Sequence, residues 1–199
     1  MRPDGKTAPS DLQLKIVLQG TRPPLWRRLV LPSDTSLGTL HNAIQVAFGW
    51  HGGHLHLFTD EFGRGYGDAA RLTDIDLGFG RVGGDEEATA LGDVLAGEGA
   101  RLRYVYDFGD DWEHGITLEK ALPRPVGAGR TVRCVGGRRA DVPAEDIGGC
   151  QGWPRYWSSS TPRTGPGMAR TVSWSPSCGR PVTTRRPSTG MQSPRAWPS

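Results

Sequence analysis

The sequence lacks the features of a membrane or secreted protein. It contains no run of about 18 apolar residues, the length that a helix needs to cross a bilayer. The N-terminal stretch Met1–Lys6 has no apolar core of the kind found in signal peptides. Three cysteines are too few for a disulfide framework. We therefore expect a cytoplasmic protein with reduced thiols and no membrane partner.

Acidic residues are missing from one part of the chain, residues 158–199, which holds six arginines. The rest, residues 1–157, has 18 Lys and Arg against 21 Asp and Glu, a net charge of −3. Non-specific affinity for nucleic acid grows with the number of phosphates that a protein neutralises. The charge of this larger part therefore does not support nucleic acid as a partner, and we expect it to bind duplex DNA weakly or not at all.

Residues 158–199 also lack Lys, Leu, Ile, Phe and Tyr. So little apolar surface cannot offset the entropy of ordering, which predicts a disordered Arg/Ser/Pro-rich tail. The domain proper is predicted to span residues 11–157 and to follow a flexible N-terminus over residues 1–10. An alternative for the tail is a change of reading frame near Trp157, because GC-rich codons read out of frame give this mixture of Arg, Pro, Ser and Thr.

The densest run of aromatic, acidic and imidazole side chains lies at Leu102–Leu118. Apolar or aromatic residues alternate with others on both sides of the pair Gly109-Asp110, a pattern typical of a β-hairpin with one buried face. That face is predicted to carry Leu102, Tyr104, Tyr106 and Phe108 before the turn, and Trp112, His114, Ile116 and Leu118 after it.

The remaining pattern predicts two strands, Leu12–Gln19 and Leu25–Leu31, followed by a helix. Apolar residues at i, i+3, i+4 and i+7 spacing over Leu37–Phe48, preceded by Ser36 and stopped by Gly49, are typical of an amphipathic helix. A further strand is predicted at His54–Phe58, and residues 133–157 are expected to be irregular. This order indicates an α+β fold: a mainly antiparallel sheet with one or two covering helices, the hairpin at its centre.

Several motifs together resemble one protein family. They are Arg22–Arg28 (RPPLWRR), Leu37–Gln45, His54–Phe58 (HLHLF), Tyr104–Ile116 (YVYDFGDDWEHGI) and Pro143–Gly149 (PAEDIGG). The chain resembles the plasmid pRiA4b Orf-3-like family over about residues 12–157. That resemblance implies a bacterial, uncharacterised α+β protein encoded on plasmids or other mobile genetic elements. Members often carry a second cysteine before the last motif, where this chain has Val142.

Histidines suggest a metal site. His54 and His56 would share one face of the predicted strand with Phe58, and paired imidazoles suit zinc, copper, iron or nickel. A third ligand could come from His114, Asp107 or Cys134. The alternative is structural: His56 packs on Phe58 and bonds to a carboxylate of the hairpin.

Two functions fit these residues. The first is a non-enzymatic binding or accessory module without a cofactor; the alternative is a metal-dependent hydrolase or nuclease in which the cluster holds a divalent ion and activates water. The ordinary role of aspartates in such a turn is to cap its amides. The candidate functional cluster comprises His54, His56, Asp107, Asp110, Asp111, Trp112 and His114.

A weaker indication of nucleic-acid binding comes from Trp26, Arg27 and Arg28. An aromatic ring beside two cations can stack on bases and contact phosphates. Such a triplet on a strand is also an ordinary surface feature.

Overall fold

The structure of the protein, a computed structural model, describes residues 10–72, 82–125, 127–139 and 143–153. The predicted tail, and all of the predicted flexible N-terminus except Ser10, lie outside these ranges. The described residues include eight strands and three helices, in the order β1 (Ser10–Leu18), β2 (Leu25–Pro32), α1 (Leu37–Phe48), β3 (His56–Asp60), β4 (Gly65–Gly67), α2 (Ala69–Leu72), β5 (Val82–Asp85), α3 (Leu91–Val94), β6 (Arg101–Tyr106), β7 (Trp112–Pro123) and β8 (Arg133–Arg138). Residues 149–153 are also helical.

All eight strands belong to one sheet, in the order β5-β4-β3-β6-β7-β1-β2-β8. Every pairing is antiparallel except that of β4 with β5. The α+β class and the mainly antiparallel sheet are therefore confirmed. The β6–β7 hairpin provides the fourth and fifth strands, so it lies at the centre of the sheet as predicted.

Helix α1 has the bounds that the sequence predicts, because its signals are local. Ser36 caps its first turn by accepting a hydrogen bond from the Thr39 amide, and Gly49 ends it in the left-handed conformation, with φ of 73°. Its buried residues include Leu37, Leu40 and Ile44, which face the sheet. Within the described ranges, no helix combines the length and the apolar character that crossing a bilayer requires.

The helix packs on the hairpin through a buried polar and aromatic layer. The Tyr104 hydroxyl lies 2.8 Å from His41 Nδ1 and accepts a hydrogen bond from Gln45 Nε2 at 3.0 Å. The ring of Phe48 meets that of His114 edge-on, with centroids 4.9 Å apart. The inner face of the hairpin is therefore the face that α1 covers.

Three expectations about strands are wrong. Strand β6 ends at Tyr106 because Asp107 has a positive φ of 58°, so Phe108 lies half-buried in the turn and not on the inner face. Strand β3 begins at His56, which leaves His54 in the preceding loop and removes the two-histidine strand face. The stretch expected to be irregular contains β8, which pairs with β2 about a hundred residues earlier.

Candidate functional site

The turn of the central hairpin, residues 107–111, begins and ends with aspartates in the left-handed conformation. Asp107 has a φ of 58° and Asp111 a φ of 52°, values that Asp adopts more readily than most residues. Asp107 Oδ1 accepts hydrogen bonds from the amides of Gly109 and Asp110, at 3.0 and 3.4 Å. This bonding fixes the turn and leaves Oδ2 of Asp107 directed elsewhere.

A second segment, residues 143–149, lies across the end of the sheet beside this turn. The indole Nε1 of Trp50 donates to the Pro143 carbonyl at 2.8 Å. Both carboxylate oxygens of Asp110 accept backbone bonds from this segment, one from Ile147 and one from Gly148, each at 3.0 Å. We call residues 143–149 the strap, because side chains from the sheet end and the α1–β3 loop hold it in place.

Glu145 is the third attachment of the strap. Its carboxylate accepts a hydrogen bond from the Tyr106 hydroxyl and, on the other oxygen, from the amide of His51 at 3.2 Å, with His51 Nδ1 at 2.7 Å. Burial by itself would raise the pKa of Glu145, but these hydrogen bonds outweigh it and the pKa lies below its usual value. Burial first, and then the bond to Glu145, raise the pKa of Tyr106, so its hydroxyl stays a donor.

The strap approaches the hairpin so closely that side chains are excluded. A Cβ atom at Gly149 would lie 2.0 Å from the Asp110 carbonyl oxygen, and Gly149 has a φ of 64°. Only glycine meets both conditions without strain. Gly149, the last residue of the PAEDIGG motif, therefore serves the docking of the strap.

Docking brings three ionisable side chains together, which we call the trio: His54, Asp107 and Asp146. His54 Nδ1 is 3.6 Å from Asp107 Oδ2, and His54 Nε2 is 3.5 Å from Asp146 Oδ1. One potential ligand atom from each of the three lies within 4.8 Å of the others. Their side chains are 34%, 11% and 76% exposed, so the trio opens to solvent on the side of Asp146.

The trio has the composition of a divalent-metal site. Imidazole nitrogen with carboxylate oxygen suits Zn²⁺, Mn²⁺ or Fe²⁺ better than it suits Ca²⁺ or Mg²⁺, which prefer oxygen ligands alone. Asp107 has its turn-forming oxygen occupied and its second oxygen directed at His54, so its orientation is fixed before any ion arrives. Asp146 is the most exposed of the three and is carried by the strap.

Most of the metal ligands expected from the sequence lie elsewhere. His56 is buried, with Nε2 2.6 Å from Glu86 Oε2, and its ring stacks on His41 with centroids 3.6 Å apart. The structural alternative is right that His56 lies against a carboxylate, but that carboxylate is Glu86, just after β5, and not a residue of the hairpin. Cys134 lies on β8, where its Sγ is 3.7 Å from the Gly136 carbonyl.

Two residues of the candidate cluster, Trp112 and His114, belong to the core. Both are fully buried, and His114 Nδ1 lies 2.9 Å from the Trp112 carbonyl. Burial lowers the pKa of His114 to about 4, so the imidazole is neutral near pH 7. Asp110 is occupied by the strap, and Asp111 is exposed.

The residues proposed for nucleic acid do not share a surface. Arg27 is 1% exposed and its guanidinium donates to the carbonyls of Ala47, Trp26 and Arg138. Trp26 and Arg28 lie on the opposite face of β2, where Arg28 forms a two-pronged salt bridge with Glu119 at 2.6 and 2.9 Å. The alternation of side chains along a strand separates Arg27 from its neighbours.

Sequence reasoning missed Asp146 and Glu145 as site residues. The signal was present, since both lie in the PAEDIGG motif that carries part of the family resemblance. Their role depends on the strap reaching a hairpin 37 to 39 residues earlier in the chain, and no local pattern shows such a contact.

The chain is similar to a known protein family, to a protein of known sequence and to a solved structure. A family model described as plasmid pRiA4b ORF-3-like protein matches residues 10–177. The uncharacterized protein y4hQ of Sinorhizobium fredii is 32% identical over 166 residues, which cover 83% of this chain and 80% of that protein. The crystal structure of MM3350 from Methanosarcina mazei, a protein of unknown function, is similar with a TM-score of 0.61 and 32% identity over 77% of this chain and 83% of that one.

Proposed function

We propose that this chain, which belongs to the plasmid pRiA4b ORF-3-like protein family, is a non-enzymatic binding module whose site takes up one divalent cation at His54, Asp107 and Asp146. The observation that carries the proposal is the convergence of the trio. Its members come from three separate segments: the α1–β3 loop, the hairpin turn and the strap.

Local charge supports a cation at this position. Asp107 and Asp146 flank one imidazole, and Asp111 and Glu145 add two further carboxylates in the same two segments. Like charges held together raise the free energy of the folded chain, and a bound cation relieves that repulsion. The two aspartates face different nitrogens of His54, so binding one ion requires Asp146, the most exposed ligand, to turn toward the nitrogen that Asp107 faces.

Binding is favoured over catalysis because two of the neighbouring carboxylates already have structural partners. Asp110 accepts two strap amides, and Glu145 accepts bonds from Tyr106 and His51. A metal-dependent hydrolase needs, beside the ion, a group that is free to move a proton. Neither of these carboxylates is free in that sense.

A metal-dependent hydrolase is the second candidate. Three protein ligands leave coordination positions for water, the arrangement of catalytic zinc sites, and Asp146 is 76% exposed. The two candidates differ in one measurement, the metal-dependent hydrolysis of a generic phosphodiester such as bis(p-nitrophenyl) phosphate.

The test of the cation site is a binding titration of the full chain with Zn²⁺ and Mn²⁺, combined with elemental analysis. We expect one ion per chain, and at least a tenfold loss of affinity in His54→Ala and in Asp107→Asn. The second substitution keeps the left-handed turn, because Asn tolerates that conformation as well as Asp does. Asp111→Asn is the matched control: the same change, in the same turn, outside the trio.

Three outcomes would contradict the proposal. They are a chain that binds no ion, an affinity unchanged in Asp107→Asn, or an equal loss of affinity in Asp111→Asn. Phosphodiester turnover that needs the metal and disappears in Asp107→Asn would instead establish the hydrolase.

A further inference from the structure

The contacts that attach the strap to the sheet and to the α1–β3 loop all involve a side chain. Trp50 Nε1 donates to the Pro143 carbonyl at 2.8 Å, and the carboxylate of Asp110 accepts bonds from two amides of the strap at 3.0 Å. Within the described ranges, no backbone-to-backbone hydrogen bond joins residues 143–149 to the sheet or to α1. A segment held in this way opens locally at a lower free energy than a strand inside a sheet does.

The strap provides hydrogen-bond acceptors for two buried aromatic side chains. Trp50 is 7% exposed and Tyr106 is fully buried. The indole N–H of Trp50 donates to Pro143, and the hydroxyl of Tyr106 donates to Glu145. When the strap leaves, both donors lose these acceptors and water has to replace them. The strap is therefore a cover over the polar ends of Trp50 and Tyr106.

Charge opposes the docking of this cover. Two acidic residues of the strap, Glu145 and Asp146, approach a hairpin turn that carries three more, Asp107, Asp110 and Asp111. Like charges brought close together raise the free energy of the docked form, and a divalent cation between them lowers it. Docking is thus the step on which a bound ion has the largest effect.

The trio lies across the boundary between the strap and the rest of the protein. Asp146 belongs to the strap, whereas His54 belongs to the α1–β3 loop and Asp107 to the hairpin turn. An ion held by the trio contacts the docked form through three ligands and the open form through two. A ligand that binds one form more tightly shifts the equilibrium toward that form by the ratio of its two affinities.

We propose that the strap is an ion-controlled cover: a divalent cation at the trio closes it over Trp50 and Tyr106, and loss of the ion lets it open. This inference rests on the cation site proposed above and adds its regulation. Asp146 carries the coupling, because it is the member of the trio that moves with the strap.

Hydrogen exchange of the full chain, with and without saturating Zn²⁺, measures the opening. The reporters are the amides of Ile147 and Gly148, which bond to Asp110 when the strap is docked. We expect Zn²⁺ to slow exchange at both amides by at least about tenfold, within the range usual for coupled sites.

Two matched variants assign this effect to the ligand on the strap. Asp146 and Asp111 both have positive φ, 60° and 52°, a conformation that Asn also tolerates. In Asp146→Asn we expect saturating Zn²⁺ to slow exchange at Ile147 and Gly148 by less than about twofold. In Asp111→Asn, which lies outside the trio, the full slowing should remain.

The affinity for the ion tests the reciprocal effect. In Gly149→Ala a Cβ atom would lie 2.0 Å from the Asp110 carbonyl oxygen, so the strap cannot dock as it does in the native chain. The affinity of this variant for Zn²⁺ should fall by the same factor by which saturating Zn²⁺ slows exchange in the native chain. Both factors equal the ratio of the affinities of the docked and open forms.

The outcomes distinguish this inference from the cation site itself. A chain that binds no ion overturns both. One bound ion per chain, with unchanged exchange at Ile147 and Gly148, overturns the ion-controlled cover alone. Slowing that persists undiminished in Asp146→Asn also overturns it, because the coupling would then not pass through the ligand on the strap.

Discussion

At the scale of single residues, Asp107 uses its two carboxylate oxygens for different purposes. Oδ1 holds the turn through two amides, and Oδ2 faces His54. The neighbouring Asp110 accepts hydrogen bonds from the strap with both oxygens. In the sequence, Asp107 and Asp110 are two similar acids around one turn. In the structure, Asp107 is a potential ligand and Asp110 is a structural anchor.

The two aromatic residues around Asp107 should differ in their contribution to stability. Tyr106 is fully buried and bonds Glu145, so we expect Tyr106→Ala to cost about 3–5 kcal/mol of unfolding free energy. Phe108 lies half-buried in the turn, and we expect Phe108→Ala to cost less than about 2 kcal/mol. Urea unfolding of the two variants measures the difference, and equal costs would contradict the placement of Phe108.

His114 should make stability depend on pH. Burial lowers its pKa to about 4 from the usual 6.5, so the folded chain binds fewer protons than the unfolded chain between these values. The stabilising effect of the neutral His114 on the folded chain is fully present above pH 6.5 and is lost as pH falls toward 4. The free energy of unfolding then changes by at most about 1.4 kcal/mol per pH unit. Urea midpoints measured across this range should decrease as the pH is lowered in the native chain, and decrease less steeply in His114→Phe. An unchanged slope in the variant would show that His114 is not the source.

At the scale of elements, the hairpin and the strap depend on each other. We expect Gly149→Ala to detach the strap, because a Cβ atom would lie 2.0 Å from the Asp110 carbonyl oxygen and Gly149 has a positive φ. Gly97→Ala is the matched control, since a Cβ atom there meets nothing within 4 Å. Limited proteolysis should cut the first variant within residues 143–149 and spare the second.

The same variant links the strap to the proposed cation site. Asp146 belongs to the strap, so a detached strap should lower cation affinity even though Gly149 is not a member of the trio. Full cation affinity in Gly149→Ala, with the strap shown to be cleaved, would remove Asp146 from the site.

Elements with local signals could be predicted from the sequence, and those defined by distant partners could not. Helix α1 has its cap, its apolar spacing and its stop within a dozen residues, and its bounds are those predicted. Strand β8 has two glycines and no alternating pattern, and it becomes a strand by pairing with β2. In the site, His54 and Asp107 were expected from their chemistry, but Asp146 enters through the strap, and His56 and His114 find buried partners that no spacing reveals.

At the scale of the whole molecule, charge is distributed unevenly along the chain. Residues 1–157 carry a net charge of −3, and residues 158–199 carry six arginines without an acid. We expect a chain ending at residue 157 to retard duplex DNA weakly or not at all at about 150 mM salt, where exposed charges are screened beyond about 8 Å. The full chain should retard it more. Gel retardation compares the two, and strong binding by the shorter chain would contradict the expectation.

The pairing of β1 with β7 has a consequence for folding during synthesis on the ribosome. β1 leaves the ribosome before its partner β7, which ends at Pro123, about a hundred residues later. At a synthesis rate of roughly 5–20 residues per second, β1 waits on the order of 5–20 s with one edge unpaired. The strand order allows two parts of the sheet, β1 with β2 and β3 with β6, to pair before β7 joins them. The β1–β7 pairing near the middle of the finished sheet therefore forms late in synthesis. Until it forms, the ribosome-bound chain is the form most exposed to mispairing and to chaperones.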